Sequence, residues 1–180
     1  SAGPLAAEIV ATFQDARLGD AAVRQTVRLF AGVKRIDVVN DLRHVGSLHT
    51  TQHTDRYREN IFYAFPLQVE KFTARAEYAG GVVRPHADQL RWGSHDYLSP
   101  NRWVDVRNAD YGVTMALHNA PVVHFGEIRY NQLSVDYSPQ RSHLYSYAWS
   151  NRMAGLSHLN ADDLNARLAY SFTSHAGEWS

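Results

Sequence analysis

Period-two alternation of apolar and polar positions runs through most of the chain. Val23, Gln25, Val27 and Leu29 fall on one side of a predicted strand, with Arg24, Thr26 and Arg28 on the other. Ile36 to Leu42 repeats the pattern after the turn-like "AGVK". Phe72, Ala74, Ala76 and Tyr78 oppose Thr73, Arg75 and Glu77, and Gly80-Gly81 ends that strand. His143, Tyr145, Tyr147 and Trp149 alternate with Leu144, Ser146 and Ala148. Leu164, Ala166, Leu168, Tyr170 and Phe172 alternate with Asn165, Arg167, Ala169, Ser171 and Thr173. One competing helical start, "NADDLNARLAYS" with Asn160 as cap, is expected to be brief because this alternation follows it.

Strands at these intervals, separated by Gly, Pro, Asn and Asp, predict an all-β antiparallel sandwich. No internal repeat, low-complexity tract or linker interrupts it, so one domain over residues 3–180 is expected. Gly46 to Asn60, Val83 to Pro100 and Gly155 to Asp163 lack regular pattern. Long irregular segments of a sandwich commonly form its functional rims.

Composition narrows the partners. Lys+Arg and Asp+Glu are both 18, so no net basic field exists to hold a nucleic-acid backbone. Cysteine is absent, which excludes disulfides and thiolate metal sites. No apolar run approaches the roughly 20 residues needed to cross a bilayer, and no signal peptide is visible. No membrane partner and a cytoplasmic location are the corresponding expectations. Ser1 and Ala2 read as a cloning scar, so the chain is expected to be an excised piece of a longer protein.

Several constellations bear chemistry. His49 and His53 have the i, i+4 spacing of two zinc ligands, but "GSLHTTQHTD" has no helical apolar face and no third ligand. Exposed loop histidines are the expectation there. "RPHADQLRWGSHDY" gathers His86, Asp88, Gln89 and Trp92 with Arg84, Arg91, His95 and Asp96. An indole covers the C–H face of a sugar, while carboxylate, amide and guanidinium groups bind its hydroxyls. The alternative is a solvated loop with its Trp tucked into the core. Asp105 and Asp110 flank "VRNA", and glycosidase carboxylates stand roughly 5 to 9 Å apart. Turn chemistry competes, because Asn108 and Asp110 suit a hairpin connection. On that reading "NRWVDVRNADYGVTMA" is a strand, a turn and a second strand, with Asp105 beside Arg102 as an ion pair or a backbone anchor. Neither a glycine-rich phosphate loop nor a G-x-S-x-G elbow is present.

"VRLFAGVKRIDVVNDL", "RENIFYAFPL", "NRWVDVRNADYGVTMA" and "TSHAGEW" stand in an order that resembles the C-terminal β-domain of glycoside hydrolase family 38, the α-mannosidases. The resemblance spans roughly Gly3 to Trp179. It implies an antiparallel β-supersandwich of the galactose-mutarotase type. It also implies a parent enzyme whose zinc ligands and nucleophilic Asp lie on an N-terminal barrel, leaving no catalytic residue, metal ligand or cofactor in this chain. The implied partners are that catalytic domain of the same protein and an α-mannoside-class carbohydrate. By this carry-over Arg102, Trp103, Asp105, Tyr111 and Gly112 match one family motif, and Asn60, Tyr63 and Phe65 another. Trp103 and Phe65 are then expected in the core, Gly112 at a turn, and Arg102 and Asp105 paired. Where the family continues with an "LSLLRSP"-like segment, "HNAPVVHFGEIRYNQLSVDYSP" stands here, so α-mannoside is a class expectation only.

An accessory domain supporting the barrel, and lending polar residues to the rim of its sugar site, is the first functional expectation. His86, Asp88, Gln89, Trp92, Arg102 and Asp105 are its candidate carbohydrate contacts. The alternatives are a mutarotase-like epimerase and a lectin-like module. The first would use His86, His124 or His175 with Glu127 or Glu178, the second Trp92, Trp149 or Trp179 as stacking platform.

Overall fold

The computed structural model describes residues 3–15, 20–44, 60–129, 137–150 and 165–177. Eleven strands and no helix occur among them: β1 (Ala6–Gln14), β2 (Ala22–Phe30), β3 (Ile36–Arg43), β4 (Asn60–Phe65), β5 (Thr73–Tyr78), β6 (Gly81–Val83), β7 (Trp103–Arg107), β8 (Tyr111–Leu117), β9 (Val123–Phe125), β10 (Leu144–Ser150) and β11 (Ala166–Ala176). The expected all-β class and antiparallel pairing are what the chain adopts. Each alternating segment became a strand. β1, β6 and β9 are additional; β6 and β9 are three residues each, too short to show a period.

Within the span expected as one domain, the fold forms two compact units. The first comprises residues 1–61 and 148–169, the second 62–147 and 170–180. In the first unit β1, β2 and β3 form an antiparallel meander, and the initial residues of β11 follow β3 in strand order. Register places Phe13 opposite Val23 and Val23 opposite Leu42, and Ile9, Val27 and Val38 fall on that same face, while Val10 and Val39 flank Thr26 on the other. On the first face Leu42, together with Ala21, is covered by Val23, Ile61, Trp149 and Ala166. The opposite face is charged and carries ion pairs Arg28–Glu8, Arg35–Asp37 and Arg167–Asp41.

In the second unit the strand order is β11-β8-β7-β5-β6, with β4-β10-β9 as a smaller sheet. One face of the larger sheet is apolar: Ala76, Val104, Val106, Met115 and Tyr170 are buried there. The smaller sheet packs on this face. Phe65 of β4 meets Tyr170 and Phe172 of β11 with ring centroids 4.9 and 5.0 Å apart. Between the layers the Tyr170 hydroxyl donates to Ser146 Oγ at 2.8 Å. Burial pushes the Tyr170 phenol upward, so it stays a donor. Tyr170→Phe is expected to cost about 1 kcal/mol in urea unfolding, since it deletes the donor and strands a buried hydroxyl.

β5 and β6 form a hairpin closed at Tyr78 and Gly81, with Gly80 at φ +97°. The connection of β7 to β8 is the expected turn. Asn108 Oδ1 accepts from the backbone N–H groups of Asp110 and Tyr111, at 2.9 and 3.0 Å. Its Nδ2 donates to Glu70 O and the Tyr111 hydroxyl to Gln68 O, which pins the hairpin tip to the segment before β5.

Candidate functional site

The segment between β6 and β7 is wound on itself by its own polar groups. Arg84 clasps Asp88: Nη2 donates to Oδ1 at 2.7 Å, and the Arg84 backbone N–H donates to Oδ2 at 2.7 Å. The guanidinium bond first, and the backbone bond after it, hold the Asp88 carboxyl below the usual carboxylate range. The next rung uses the Gln89 amide, whose Oε1 accepts from His86 N at 2.7 Å and whose Nε2 donates to Ser94 O at 3.3 Å. His86 takes the left-handed conformation, φ +68°, which the two clasps sustain. Consequently His86, Asp88 and Gln89 are brought together, while the Asp88 and Gln89 side chains serve the loop.

Trp92 projects from this loop 81% exposed, with the Arg91 guanidinium carbon 5.8 Å from its ring centroid. Of the two expectations for Trp92, the indole open to solvent is the one realised. Trp149 instead packs in the first unit against Ala21 and Leu42.

Inward of the loop lies a group of imidazoles. The His86 ring stands 5.6 Å from His95 and 5.1 Å from Tyr137, and the Arg129 guanidinium sits 3.9 Å over Tyr137 and 3.5 Å from Asp96. His95 Nε2 shares a hydrogen bond with Leu90 O at 3.1 Å. His124 of β9 is 1% exposed and walled by Phe62, Tyr97 and Tyr147 at 5.0, 4.8 and 6.3 Å. Burial drives His86 down to about 4, reinforced by His95 and Arg129. It drives His124 to about 4 as well, against a smaller opposing pull from Asp96. Both rings are neutral near pH 7. Sealed among aromatics, His124 has no approach for a substrate hydroxyl, so the geometry does not favour a mutarotase-type acid or base there.

Arg102 and Asp105 are not a pair, contrary to expectation. Asn101 N donates to Glu77 O at 2.7 Å, which sets Arg102 alongside Glu77; its Nε donates to both carboxylate oxygens at 3.0 and 2.9 Å. Asp105 is fully buried and accepts from Thr114 Oγ1 at 2.7 Å and His175 Nε2 at 2.8 Å. β7 is thus buried on both faces, with Val104 and Val106 in the apolar layer and Asp105 and Arg107 in a polar one. Asp110 lies exposed at the hairpin turn, and Asp105 is sealed, so the two are not an acid/base pair.

Gly112 is not a turn residue, a second correction. It lies in β8 opposite both Arg107 and His175, and the imidazole crosses directly over it to reach Asp105. A Cβ at Gly112 would lie 2.4 Å from His175 Cε1. The sequence signal was a glycine inside an alternating strand, which marks close approach of another group. Trp103 and Phe65 are both half-buried.

His49, His53, Trp179 and Glu178 lie outside the described residues, as does 160–164 of the helical candidate. Among the described residues no group of three or more His, Asp or Glu is placed to hold a metal.

The sequence matches the family described as "Glycosyl hydrolases family 38 C-terminal domain" over residues 1–134 of 180. The chain belongs to that family. Among solved structures, this family 38 C-terminal domain is similar to an alpha-mannosidase from Enterococcus faecalis V583. The TM-score is 0.56 at 12% identity, over 87% of this chain and 16% of the other. At that identity the likeness bears on the fold, which it supports. The chain spans about a sixth of the length of that mannosidase. No curated protein matches it.

Proposed function

We propose that this family 38 C-terminal domain is an accessory part of an α-mannosidase-like glycoside hydrolase. The family match over residues 1–134 carries this reading. The residues themselves support a non-catalytic role: Asp105 is committed to Thr114 and His175, Asp88 to Arg84, and His124 is sealed. Zinc, expected for the parent, finds no ligand group among the described residues and would be held by the catalytic domain. That domain is the proposed partner within the same polypeptide, and an α-mannoside-class sugar the proposed substrate.

The feature suited to a sugar rim is Trp92, since an exposed indole beside a guanidinium presents a flat apolar face with a donor at its edge. Asp88 and Gln89 position that loop. Arg102, paired with Glu77, and the buried Asp105 act as architecture.

The purified 180-residue chain is expected to release no nitrophenol from a nitrophenyl α-mannoside, with or without added zinc; zinc-dependent turnover would overturn the accessory reading. In a parent enzyme carrying this domain, Trp92→Ala is expected to raise KM severalfold at unchanged kcat. Its unfolding free energy should change by less than about 0.5 kcal/mol. An unchanged KM would remove Trp92 from the rim.

A further inference from the structure

The charged face of the first unit holds a concavity of about 520 Å³ lined by Thr12, Gln14, Asp20, Arg24, Arg43 and His44, with Ala22 at its floor. Register explains why it exists. Gln14, Ala22 and Arg43 are directly opposite one another across β1, β2 and β3, so a methyl stands between two long side chains. The adjoining rung is Thr12, Arg24 and Asp41. Asp41 is engaged by Arg167 at 3.5 Å. Among the described residues Arg24 and Arg43 make no ion pair within 4 Å and no side-chain hydrogen bond, in contrast to Arg28, Arg35 and Arg167 on the same face; Arg24 acts on Glu8 only through a longer-range attraction. At the edge His44 is held at φ +55°, its backbone N–H donating to Asn165 Oδ1 at 3.2 Å. A non-glycine residue fixed in that conformation is a local strain that structure must sustain.

We infer that this pocket binds a sugar-sized polyol bearing an oxyanion, a phosphate or a carboxylate. The Arg24 and Arg43 guanidinium groups are donor-only and suit the oxyanion in bidentate geometry. The Thr12 hydroxyl and Gln14 amide both donate and accept, and Asp20 accepts only, which suits ring hydroxyls. Among the described residues no Phe, Tyr or Trp lines the pocket and the His44 imidazole sits at its edge, so a neutral sugar lacks a broad stacking face and the anionic handle carries the affinity. The volume lies within the range of small-ligand sites, roughly 300–1,000 Å³. Its polar lining sets the affinity in the millimolar range.

The test is a titration of the ¹⁵N-labelled chain, followed by amide shifts, with glucose 6-phosphate, glucuronate, glucose and inorganic phosphate. Saturable shifts in β1–β3 are expected with at least one of the two sugar anions, and whichever binds more tightly identifies the oxyanion. Glucose and inorganic phosphate should each bind at least tenfold more weakly. Arg24→Gln combined with Arg43→Gln should weaken the sugar anion at least tenfold, and both positions are exposed enough to leave folding intact. Ala22→Leu should fill the floor and abolish the shifts while leaving the circular dichroism spectrum unchanged. Absence of shifts with both sugar anions overturns the site. So does equal affinity for glucose or for inorganic phosphate, or an affinity unmoved in the double variant.

Discussion

Gly112→Ala is expected to lower stability by about 3 kcal/mol, a fall in Tm of roughly 6 to 12 °C for a chain of this size. The added Cβ would lie 2.4 and 2.5 Å from His175 ring atoms and 2.6 Å from Arg107 Cβ. Arg107 Cβ is tethered to its strand and moves little. The imidazole can swing away, but then Asp105, fully buried, keeps only its hydrogen bond from Thr114. A carboxylate stripped of one partner in a dry layer costs about 1–3 kcal/mol, in addition to the steric term. Backbone strain contributes nothing, since Gly112 is not among the positive-φ glycines. A double-mutant cycle with His175→Ala isolates the cause: in that background Gly112→Ala should lose about half its penalty. A penalty below about 0.5 kcal/mol in the parent chain would show that the strands part freely at this rung.

The second large effect is acid sensitivity of the unit that contains His86 and His124. Both imidazoles have folded values near 4, against 6.5 for the free side chain, with burial as the main cause. A base depressed on folding binds its proton more readily in the unfolded chain. Its contribution is therefore complete above pH 6.5 and is lost as pH falls from 6.5 toward 4. At the low end each histidine withdraws about 2–3 kcal/mol. The groups facing His86 are His95, Arg129, Tyr137 and Phe125, so any proton gained there meets cations and rings. His124 faces Phe62, Tyr97 and Tyr147, and among the described residues Asp96 is the opposing charge. His124→Phe should keep stability near pH 7 and flatten the drop in Tm between about pH 6.5 and pH 4.5 by about half. An identical pH profile in the variant would exclude His124 as a source of acid lability.

How much of this could be read before the fold was known depends on the kind of fact. Strand positions from Val23 to Leu42, and from Trp103 to Met115, follow from local alternation, and the β7–β8 turn follows from Asn108 chemistry. Family membership was legible in the order of four short motifs. Pairings between distant residues were not. Nothing in "NRWVDV" tells that Asp105 answers to His175, because that bond joins residues 70 apart through a register set by the whole sheet. Proximity along the chain points Arg102 to Asp105, whereas its partner Glu77 arrives from β5. The loop at Arg84–Tyr97 displayed the right residue types, yet Asp88 and Gln89 spend their polar groups on its own backbone. The pocket at Ala22 was invisible for a similar reason: a small residue becomes a cavity floor only when its cross-strand neighbours are long.

The double burial of β7 carries a consequence for how the chain finds one fold among near misses. A strand with one wet face can slide along its neighbours and lose only part of its contacts. A one-residue slip of β7 would bring Val104 and Val106 under His175 and push Asp105 and Arg107 into the layer of Met115 and Tyr170. Both layers would be violated at once, with two charges stranded among hydrocarbon. β7 therefore works as a key cut on both edges, and the misaligned sheet lies well above the native one in free energy.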